Sequence, residues 1–194
     1  MNEDIAAIIW VIGIVAWTII RWPYRRKARR QETVVDRRST MEWISLGLTI
    51  AGLVVIPALQ ISIGLFDFSN RTFSPALAWA GLICMISFLY LFHLSHKHLA
   101  DNWSVSLEIR KDHQLVNTGI YSKVRHPMYT SFWLWGLAQF LLIPNWIAGL
   151  TGLASVAFLY FSRIENEEHM MRQQFGTAYD DYCKTTGRLW PNVF

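Results

Sequence analysis

Cysteine and charge are both scarce in this sequence, and each shortage excludes a class of protein. The 194 residues include two cysteines, Cys84 within an apolar run and Cys183 within a polar tail, so we expect neither a disulfide nor a cysteine-based metal site. Charged residues make up 16% of the chain and hydrophobic residues 53%, a balance that favours a membrane protein. Internal repeats, low-complexity segments and a soluble second domain are also absent from the sequence. We therefore predict a single membrane-embedded domain.

The polar residues outside the apolar runs have the spacing of neither a metal site nor a nucleic-acid site. His93, His96 and His98 lie close together, but no carboxylate or cysteine completes a ligand set beside them, and we predict no metal. The basic cluster at residues 21–38 directly follows an apolar run. We expect it to set the membrane orientation and to contact anionic lipid rather than nucleic acid.

Long apolar runs dominate the rest of the chain. Five of them nearly lack charge, at residues 5–20, 44–65, 75–94, 128–143 and 146–161. As helices, the second and third would reach about 30 Å, the thickness of the hydrocarbon core, and the other three about 24 Å. Pro144 and Asn145 supply a break and a short polar turn between the last two. The predicted fold is an all-α integral membrane protein with about five transmembrane helices.

The distribution of basic residues predicts the orientation of these helices. Residues 21–38 are rich in Lys and Arg, whereas the loop at residues 66–74 carries only Arg71. The positive-inside rule then places three segments in the cytosol: the first loop at residues 21–38, the segment at residues 93–127, and the C-terminal tail. The first apolar run follows the acidic segment "MNED" and is not followed by a small-residue cleavage pattern, so we expect a retained anchor.

The stretch "HQLVNTGIYSKVRHPMY" contains the first candidate site. Pro127 suits the first turn of a transmembrane helix and places His126 near the N-cap. A helix N-terminus presents unpaired N–H groups and partial positive charge, so it favours a carboxylate or phosphate, and Arg125 adds to that charge. The alternative is that Arg125 snorkels to lipid phosphates and Tyr129 joins an interfacial aromatic belt.

The stretch "RIENEEHMMRQQFGTAYDDY" contains the second candidate site. Arg163 and Glu167 lie four residues apart, hence on one helical face, directly after an apolar run. Charge at a membrane boundary is costly unless it is paired or functional. The alternative is a surface ion pair on a helix that enters water.

These motifs together resemble the isoprenylcysteine carboxyl methyltransferase family, whose members share "RHPxY" at a helix start, "RxExE" and an "FG..Y..Y" tail with phospholipid methyltransferases. Here they read "RHPMY", "RIENEE" and "FGTAYDDY", and the resemblance covers about residues 112–191. Family members use S-adenosylmethionine to esterify the carboxylate of a prenylated C-terminal cysteine. The apolar runs predict three N-terminal helices in residues 1–95, which match the family only in hydropathy. The resemblance implies a cytosol-facing cofactor pocket formed by the C-terminal half, residues 96–194.

Carried over position by position, the resemblance also implies residue roles. Arg163 would face and orient the substrate, and Glu167 would close the cofactor pocket, so that these two form the catalytic pair. Further cofactor contacts would come from a set in both halves of the first stretch: His113, Gln114, Leu115, Val116, Tyr121, His126, Pro127, Met128 and Tyr129. Asn166 stands where many relatives have a glutamate, which leaves Glu165 without an assigned role.

The implied reaction suits these side chains. A carboxylic acid with a pKa near 3.5 is ionised at neutral pH and attacks a sulfonium methyl without a general base, so alignment by Arg163 is the main requirement. A prenyl chain would stay in the bilayer and enter between helices. The expected partners are a prenylated or other lipid-like carboxylate acceptor and membrane lipids, and nothing in the sequence indicates an oligomeric state.

The chain is shorter than the eukaryotic enzymes, so we expect a compact prokaryotic relative in a plasma membrane. Three other classes compete with this reading. A phospholipid amine N-methyltransferase would share the cofactor and motifs but would need a base, such as Glu167 or His126, for its protonated amine. A membrane reductase would need a basic cluster for a 2′-phosphate, whereas the tail after Arg163 is net acidic. A non-enzymatic scaffold would leave the convergence of a helix N-terminus and an Arg/Glu face unexplained.

Overall fold

The structure is a computed structural model that describes residues 1–28, 33–36, 40–99, 108–110, 114–191 and 193. Within these residues the chain forms seven α-helices: α1 (Glu3–Ala28), α2 (Thr40–Ile50), α3 (Ile56–Ile63), α4 (Pro75–Leu99), α5 (Pro127–Leu142), α6 (Trp146–Phe175) and α7 (Thr177–Thr185). A π-helical turn, Ala51–Val55, joins α2 to α3, and 3-10 helices occur at Asp67–Ser69 and Gly119–Ser122.

Two short strands accompany the helices. Strand β1 (Thr33–Asp36) pairs antiparallel with β2 (Glu108–Arg110), with an irregular register between Thr33 and Val35. Segments of three or four residues are too short to produce a recognisable alternating pattern, so the sequence did not predict them.

In the part of the chain that the structure describes, four helical segments are long and apolar enough to cross a membrane: Glu3–Ala28, Thr40–Ile63, Pro75–Leu99 and Trp146–Phe175. The second is the continuous run of α2, the π turn and α3. Large apolar side chains point outward from these segments, with Ile19 66% and Ile83 65% exposed, as expected of surfaces in contact with lipid. The prediction of a helical integral membrane protein is confirmed.

The remaining predicted crossing, residues 128–143, corresponds to α5, which has only 16 residues and is not among those four segments. Helix α5 is largely buried, with Trp135 and Ala138 at 1% and 0% exposure, and it packs against α4, α6 and α1. Neighbouring helices therefore cover most of its surface. The count of five crossings stays a prediction.

Close packing holds the α2–α3 segment against α6. A Cβ atom at Gly52 would lie 2.5 Å from Ser155 Oγ and 2.6 Å from the Thr151 carbonyl oxygen, so only glycine fits at this separation. The π turn leaves the Gly52 carbonyl to accept hydrogen bonds from Gln139 Nε2 at 2.9 Å and from Thr151 Oγ1 at 3.2 Å. The widened turn thus links three helices.

The predicted break between α5 and α6 is present. Asn145 caps α6 by accepting a hydrogen bond from Ala148 N at 2.9 Å, and its amide donates to the Phe66 carbonyl oxygen at 2.6 Å. Arg71 N donates to the Pro144 carbonyl oxygen at 2.8 Å. These bonds fix the loop between α3 and α4 onto the α5–α6 turn.

Helix α6 continues without interruption from its apolar half into a charged half, which ends at Gly176 with φ of 54°. Helix α7 follows, and the chain then returns to the start of α5, where Val124 forms a parallel bridge with Gly187. The charged half of α6, the start of α5 and the C-terminal segment therefore meet in one place.

Candidate functional site

A cavity of about 660 Å³ lies where the charged half of α6 and the start of α5 face the ends of α1 and α2. Its lining includes both charged and apolar side chains. Charged and polar side chains include Arg21, Arg25, His126, Arg163 and Glu167, and apolar ones include Leu53, Phe132, Trp135 and Leu159. The cavity can therefore take a ligand that has both a charged and an apolar part.

The structure brings most of the sequence-predicted site residues to this cavity. Nine of them line it: Gln114, Leu115, Val116, Tyr121, His126, Met128, Tyr129, Arg163 and Glu167. Pro127 is buried in the first turn of α5 and does not line the cavity. His113 lies outside the described residues. Glu165, to which no role was assigned, is exposed.

The cavity is not formed by the C-terminal half alone, which corrects the expectation drawn from the resemblance. Trp17 and Arg21 of α1 line it, and so do Trp43 and Leu46 of α2. The apolar runs of these helices show no motif, so no sequence pattern indicated that they contribute.

Pro127 and His126 begin α5 as predicted, with Pro127 at the first turn and His126 at the N-cap. The His126 side chain makes no capping hydrogen bond and points at two carboxylates instead. Its Nε2 lies 3.3 Å from Glu168 Oε1, and its Nδ1 lies 3.8 Å from Glu167 Oε2. The backbone N–H of His126 donates to the Arg188 carbonyl oxygen at 3.0 Å, which ties the start of α5 to the C-terminal segment.

Glu168 is the centre of a buried ion-pair network beside the cavity. Its side chain is 2% exposed and receives Arg188 through two hydrogen bonds, Nε to Oε1 at 3.0 Å and Nη2 to Oε2 at 2.7 Å. Arg125 Nη2 donates to Glu168 Oε1 at 3.3 Å, while Arg125 Nη1 donates to the carbonyl oxygens of Thr186 and Cys183. The hydrogen bonds that Arg188 donates to Glu168 raise the pKa of Arg188 above its ordinary value. One carboxylate thus holds three segments together.

Arg163 lies between two carboxylates from different helices. Its Nη2 atom is 3.4 Å from Glu167 Oε1, one turn further along α6, and 3.5 Å from Glu42 Oε1 in the first turn of α2. Glu42 is 1% exposed and Arg163 is 8% exposed. Among the described residues the Nε of Arg163 is buried and has no hydrogen-bond partner. A buried donor in this state favours an acceptor atom of a ligand.

Tyr121 lines the cavity and anchors the segment of chain that connects α4 to α5. Its carbonyl oxygen accepts a hydrogen bond from the Tyr182 hydroxyl, and its own hydroxyl donates to the Ser95 carbonyl oxygen at 3.5 Å. Gly119 has φ of 63°, and a Cβ there would lie 2.7 Å from His98, so a glycine is required at this turn. Burial raises the pKa of the Tyr121 phenol well above its ordinary value, which keeps it a neutral donor.

Three site residues were missed by the sequence analysis: Glu42, Glu168 and Arg188. Glu42 precedes an apolar run, and a lone carboxylate at such a boundary was an available signal. Glu168 is next to Glu167 in the sequence. Only the segments that pack against α6 determine which of these two carboxylates is buried. Arg188 is near the C-terminus and belongs to none of the quoted motifs.

These features define an integral membrane protein with a ligand-sized cavity that both charged and apolar side chains line. Residues 79–173 match the model of the isoprenylcysteine carboxyl methyltransferase family, in agreement with the family that the sequence motifs resemble. The matched region contains α5 and most of α4 and α6, and with them Arg125, His126, Arg163 and Glu167.

Relatives with known names agree with the family. The chain is 37% identical over 128 residues to the protein-S-isoprenylcysteine O-methyltransferase of Dictyostelium discoideum, covering 64% of this chain and 52% of the relative. It is 33% identical over 105 residues to the enzyme of the same name from Schizosaccharomyces pombe, covering 54% of this chain and 44% of the relative. The chain therefore spans about half the length of these relatives.

A solved structure has a similar fold. The structure of the eukaryotic intramembrane Ras methyltransferase, an isoprenylcysteine carboxyl methyltransferase, aligns with a TM-score of 0.52 and 26% sequence identity. The alignment covers 82% of this chain and 55% of that protein.

Proposed function

We propose that this protein transfers a methyl group from S-adenosylmethionine to the carboxylate of a prenylated C-terminal cysteine, or of a similar lipid-like acceptor, at the membrane surface. The observation that carries the proposal is Arg163, a buried arginine whose Nε lacks a partner among the described residues, in a cavity with an apolar extension. A lipid-linked carboxylate has the charge and the shape that this arrangement accepts.

The residues around the cavity suit S-adenosylmethionine as the methyl donor. A volume of about 660 Å³ falls in the range of small-molecule pockets. Glu167 offers a carboxylate to the donor's cationic groups, and Tyr121 and Tyr129 offer ring faces that attract a sulfonium or stack on a base. Gln114, Leu115 and Val116 border the same space. When bound, the donor supplies an electrophilic methyl group attached to a positively charged sulfur.

The chain's own task is then positioning. The acceptor carboxylate is ionised at neutral pH, so no side chain has to remove a proton. Arg163 fixes the carboxylate through its N–H groups, and Glu167 restrains the guanidinium from one turn away at 3.4 Å. Holding two reactants in line contributes several kcal/mol to such a reaction. Aromatic and aliphatic walls keep water from the reacting atoms.

The apolar part of the cavity suits the prenyl chain. Leu53, Phe132, Trp135 and Leu159 line the cavity and are buried between the helices. Trp22 and Trp43 also line the cavity and are 66% and 56% exposed. Each CH₂ group buried there contributes about 0.8 kcal/mol. An acceptor that dissolves in the bilayer would reach this part from between α1 and α2.

The orientation and location belong to the same proposal. We place the polar part of the cavity and the C-terminus in the cytosol of a prokaryotic cell, with the protein in its plasma membrane. The support is the basic end of α1, where Arg25, Arg26 and Lys27 fall in the last turn. A reporter fused to the C-terminus should be active on the cytosolic face; activity on the outer face only would refute this orientation.

The test of function uses purified protein in detergent with two acceptors and one donor. Radiolabelled S-adenosylmethionine should transfer its methyl group to N-acetyl-S-farnesylcysteine as a base-labile ester. Phosphatidylethanolamine should receive none. Transfer only to the amine lipid would support an N-methyltransferase instead.

A binding measurement separates the enzyme from a reductase or a scaffold. S-adenosylhomocysteine at a hundred times its dissociation constant should raise the free energy of unfolding by about 2.7 kcal/mol. NADPH should have no effect. The absence of any response to S-adenosylhomocysteine would refute the proposal.

A further inference from the structure

Among the residues that the structure describes, Glu42 is the one buried carboxylate near the cavity that the family match does not include, because residues 79–173 exclude α2. It lies in the first turn of α2 and is 1% exposed. Acidic residues in a first helical turn need no burial to be favourable, and the equivalent Glu3 and Asp4 of α1 are exposed. Burying a carboxylate is costly, so its placement against Arg163 calls for a reason.

The buried face of α2 is polar along its length. Glu42, Ser45 and Thr49 are its buried residues, spaced three and four apart. Ser45 Oγ donates to the Glu42 carbonyl oxygen at 2.9 Å, and Thr49 Oγ1 donates to that of Ser45 at 2.7 Å. Thr49 also reaches the Ser155 carbonyl oxygen at 3.5 Å. The face packs on α6 and delivers Glu42 to Arg163.

Both carboxylates contact the same atom of the guanidinium. Glu42 Oε1 is 3.5 Å and Glu167 Oε1 is 3.4 Å from Nη2 of Arg163. A guanidinium binds a carboxylate at two points through one of two edges, either Nε with Nη2 or Nη1 with Nη2. Nη2 belongs to both edges. Two glutamates at Nη2 therefore compete with any third carboxylate for a two-point grip.

We propose that Glu42 is a positioning residue that sets how tightly Arg163 holds the acceptor carboxylate. This inference rests on the proposed function. With Nη2 engaged by Glu42 and Glu167, the acceptor is held mainly through the remaining N–H groups, Nε among them. The acceptor keeps more of its negative charge and stays a better nucleophile. Glu42 thus lowers the affinity for the acceptor and raises the rate of methyl transfer.

The test is Glu42→Gln, which keeps the size of the side chain and removes its charge. The acceptor carboxylate should then gain access to Nη2. We expect the KM for N-acetyl-S-farnesylcysteine to fall at least threefold and kcat to fall at least threefold, with unchanged affinity for S-adenosylhomocysteine. Glu42→Asp, which retains the charge, should lie between Glu42→Gln and the wild type. Ser45→Ala is the matched control, since it alters the same buried face without touching Arg163.

A purely structural role predicts a different pattern. If Glu42→Gln raised KM, or lowered thermal stability and activity in parallel with Ser45→Ala, Glu42 would be a packing residue and the inference would be wrong. Unchanged KM and kcat would also refute it.

A direct binding measurement separates this inference from the proposed function. The affinities for N-acetyl-S-farnesylcysteine and for its C-terminal amide are measured without methyl donor. Wild-type protein should prefer the carboxylate, and Glu42→Gln should increase that preference at least threefold. A wild type without preference and without turnover refutes the proposed function and this inference with it. If the wild type shows both the preference and turnover, and Glu42→Gln shows the same preference as the wild type, only the inference is refuted.

Discussion

Arg188 grips Glu168 at two points, with Nε 3.0 Å from Oε1 and Nη2 2.7 Å from Oε2. The pair joins the C-terminal segment to the middle of α6's charged half, next to His126 at the start of α5. Glu168 is 2% exposed, whereas the side chain of Arg188 is 41% exposed. The buried Glu168 carboxylate therefore needs this ion pair more than Arg188 does, because water reaches the Arg188 side chain.

Arg188→Gln should destabilise the protein by about 1–2 kcal/mol, because Glu168 loses its two strongest hydrogen bonds but keeps Arg125 and His126. For a chain of this size that corresponds to a fall in Tm of roughly 2–8 °C in detergent. Arg172→Gln is the control, since Arg172 reaches Glu168 only at 3.7 Å and its pair with Asp180 at 3.2 Å is exposed, so the substitution should cost less. Equal effects of the two substitutions would contradict the role assigned to Arg188.

Arg163→Lys should reduce methyl transfer at least tenfold, equivalent to about 1.4 kcal/mol of lost transition-state stabilisation. Lysine keeps the charge but lacks the planar fork that engages a glutamate and the acceptor at once. Turnover with N-acetyl-S-farnesylcysteine measures the effect, and S-adenosylhomocysteine affinity should be retained. Wild-type turnover in this variant would leave only an ion pair on α6.

Glu167→Gln should weaken both cofactor affinity and turnover, because Glu167 lines the cavity and also restrains Arg163. Calorimetry with S-adenosylhomocysteine and the methyl-transfer assay measure the two effects separately. Glu165→Gln is the matched control, since Glu165 is exposed on the same helix. A loss of turnover with unaltered cofactor affinity would restrict Glu167 to positioning the arginine.

His126→Ala and Tyr129→Ala should each weaken S-adenosylhomocysteine binding. Their rings lie 5.9 Å apart, and both border the cavity. His126→Ala also removes a partner of Glu168, so a fall in Tm is expected with it. If both variants remained folded and bound the ligand with wild-type affinity, the interfacial-belt interpretation of Tyr129 would be preferred.

Gly52→Ala should destabilise the protein by about 1–3 kcal/mol, because the added methyl group meets the Thr151 backbone and Ser155. Gly47→Ala is a control five residues away, where an added Cβ meets nothing within 4 Å. Thermal unfolding of the two variants in one detergent measures the difference. A stable Gly52→Ala variant would mean that α2 and α6 can separate without cost.

Local patterns were sufficient wherever one stretch of chain decides the outcome. Proline at 127 starts α5 because its fixed φ and missing N–H suit a first turn, and Asn145 caps α6 because its side chain accepts a backbone N–H. The four-residue spacing of Arg163 and Glu167 likewise places them on one face of α6. The motifs of the C-terminal half identified the family for the same reason.

Contacts between distant segments were not accessible in this way. The sequence "ENEEH" presents three glutamates in four positions, and only the packing of α6 leaves Glu165 exposed, directs Glu167 to the cavity and buries Glu168 against Arg125 and Arg188. Residue spacing specifies which residues share one face of a helix, but not which face packs against a neighbouring helix.

The sequence by itself determined that this protein is a helical membrane protein, where two of its helices begin, and which residue types gather at its candidate site. The tertiary structure alone decided that α1 and α2 complete the cavity and that Glu42 meets Arg163 across 121 positions of the chain. The reason is physical: hydropathy and helix spacing act within one segment, whereas the pairing of two buried charges depends on which helices pack together.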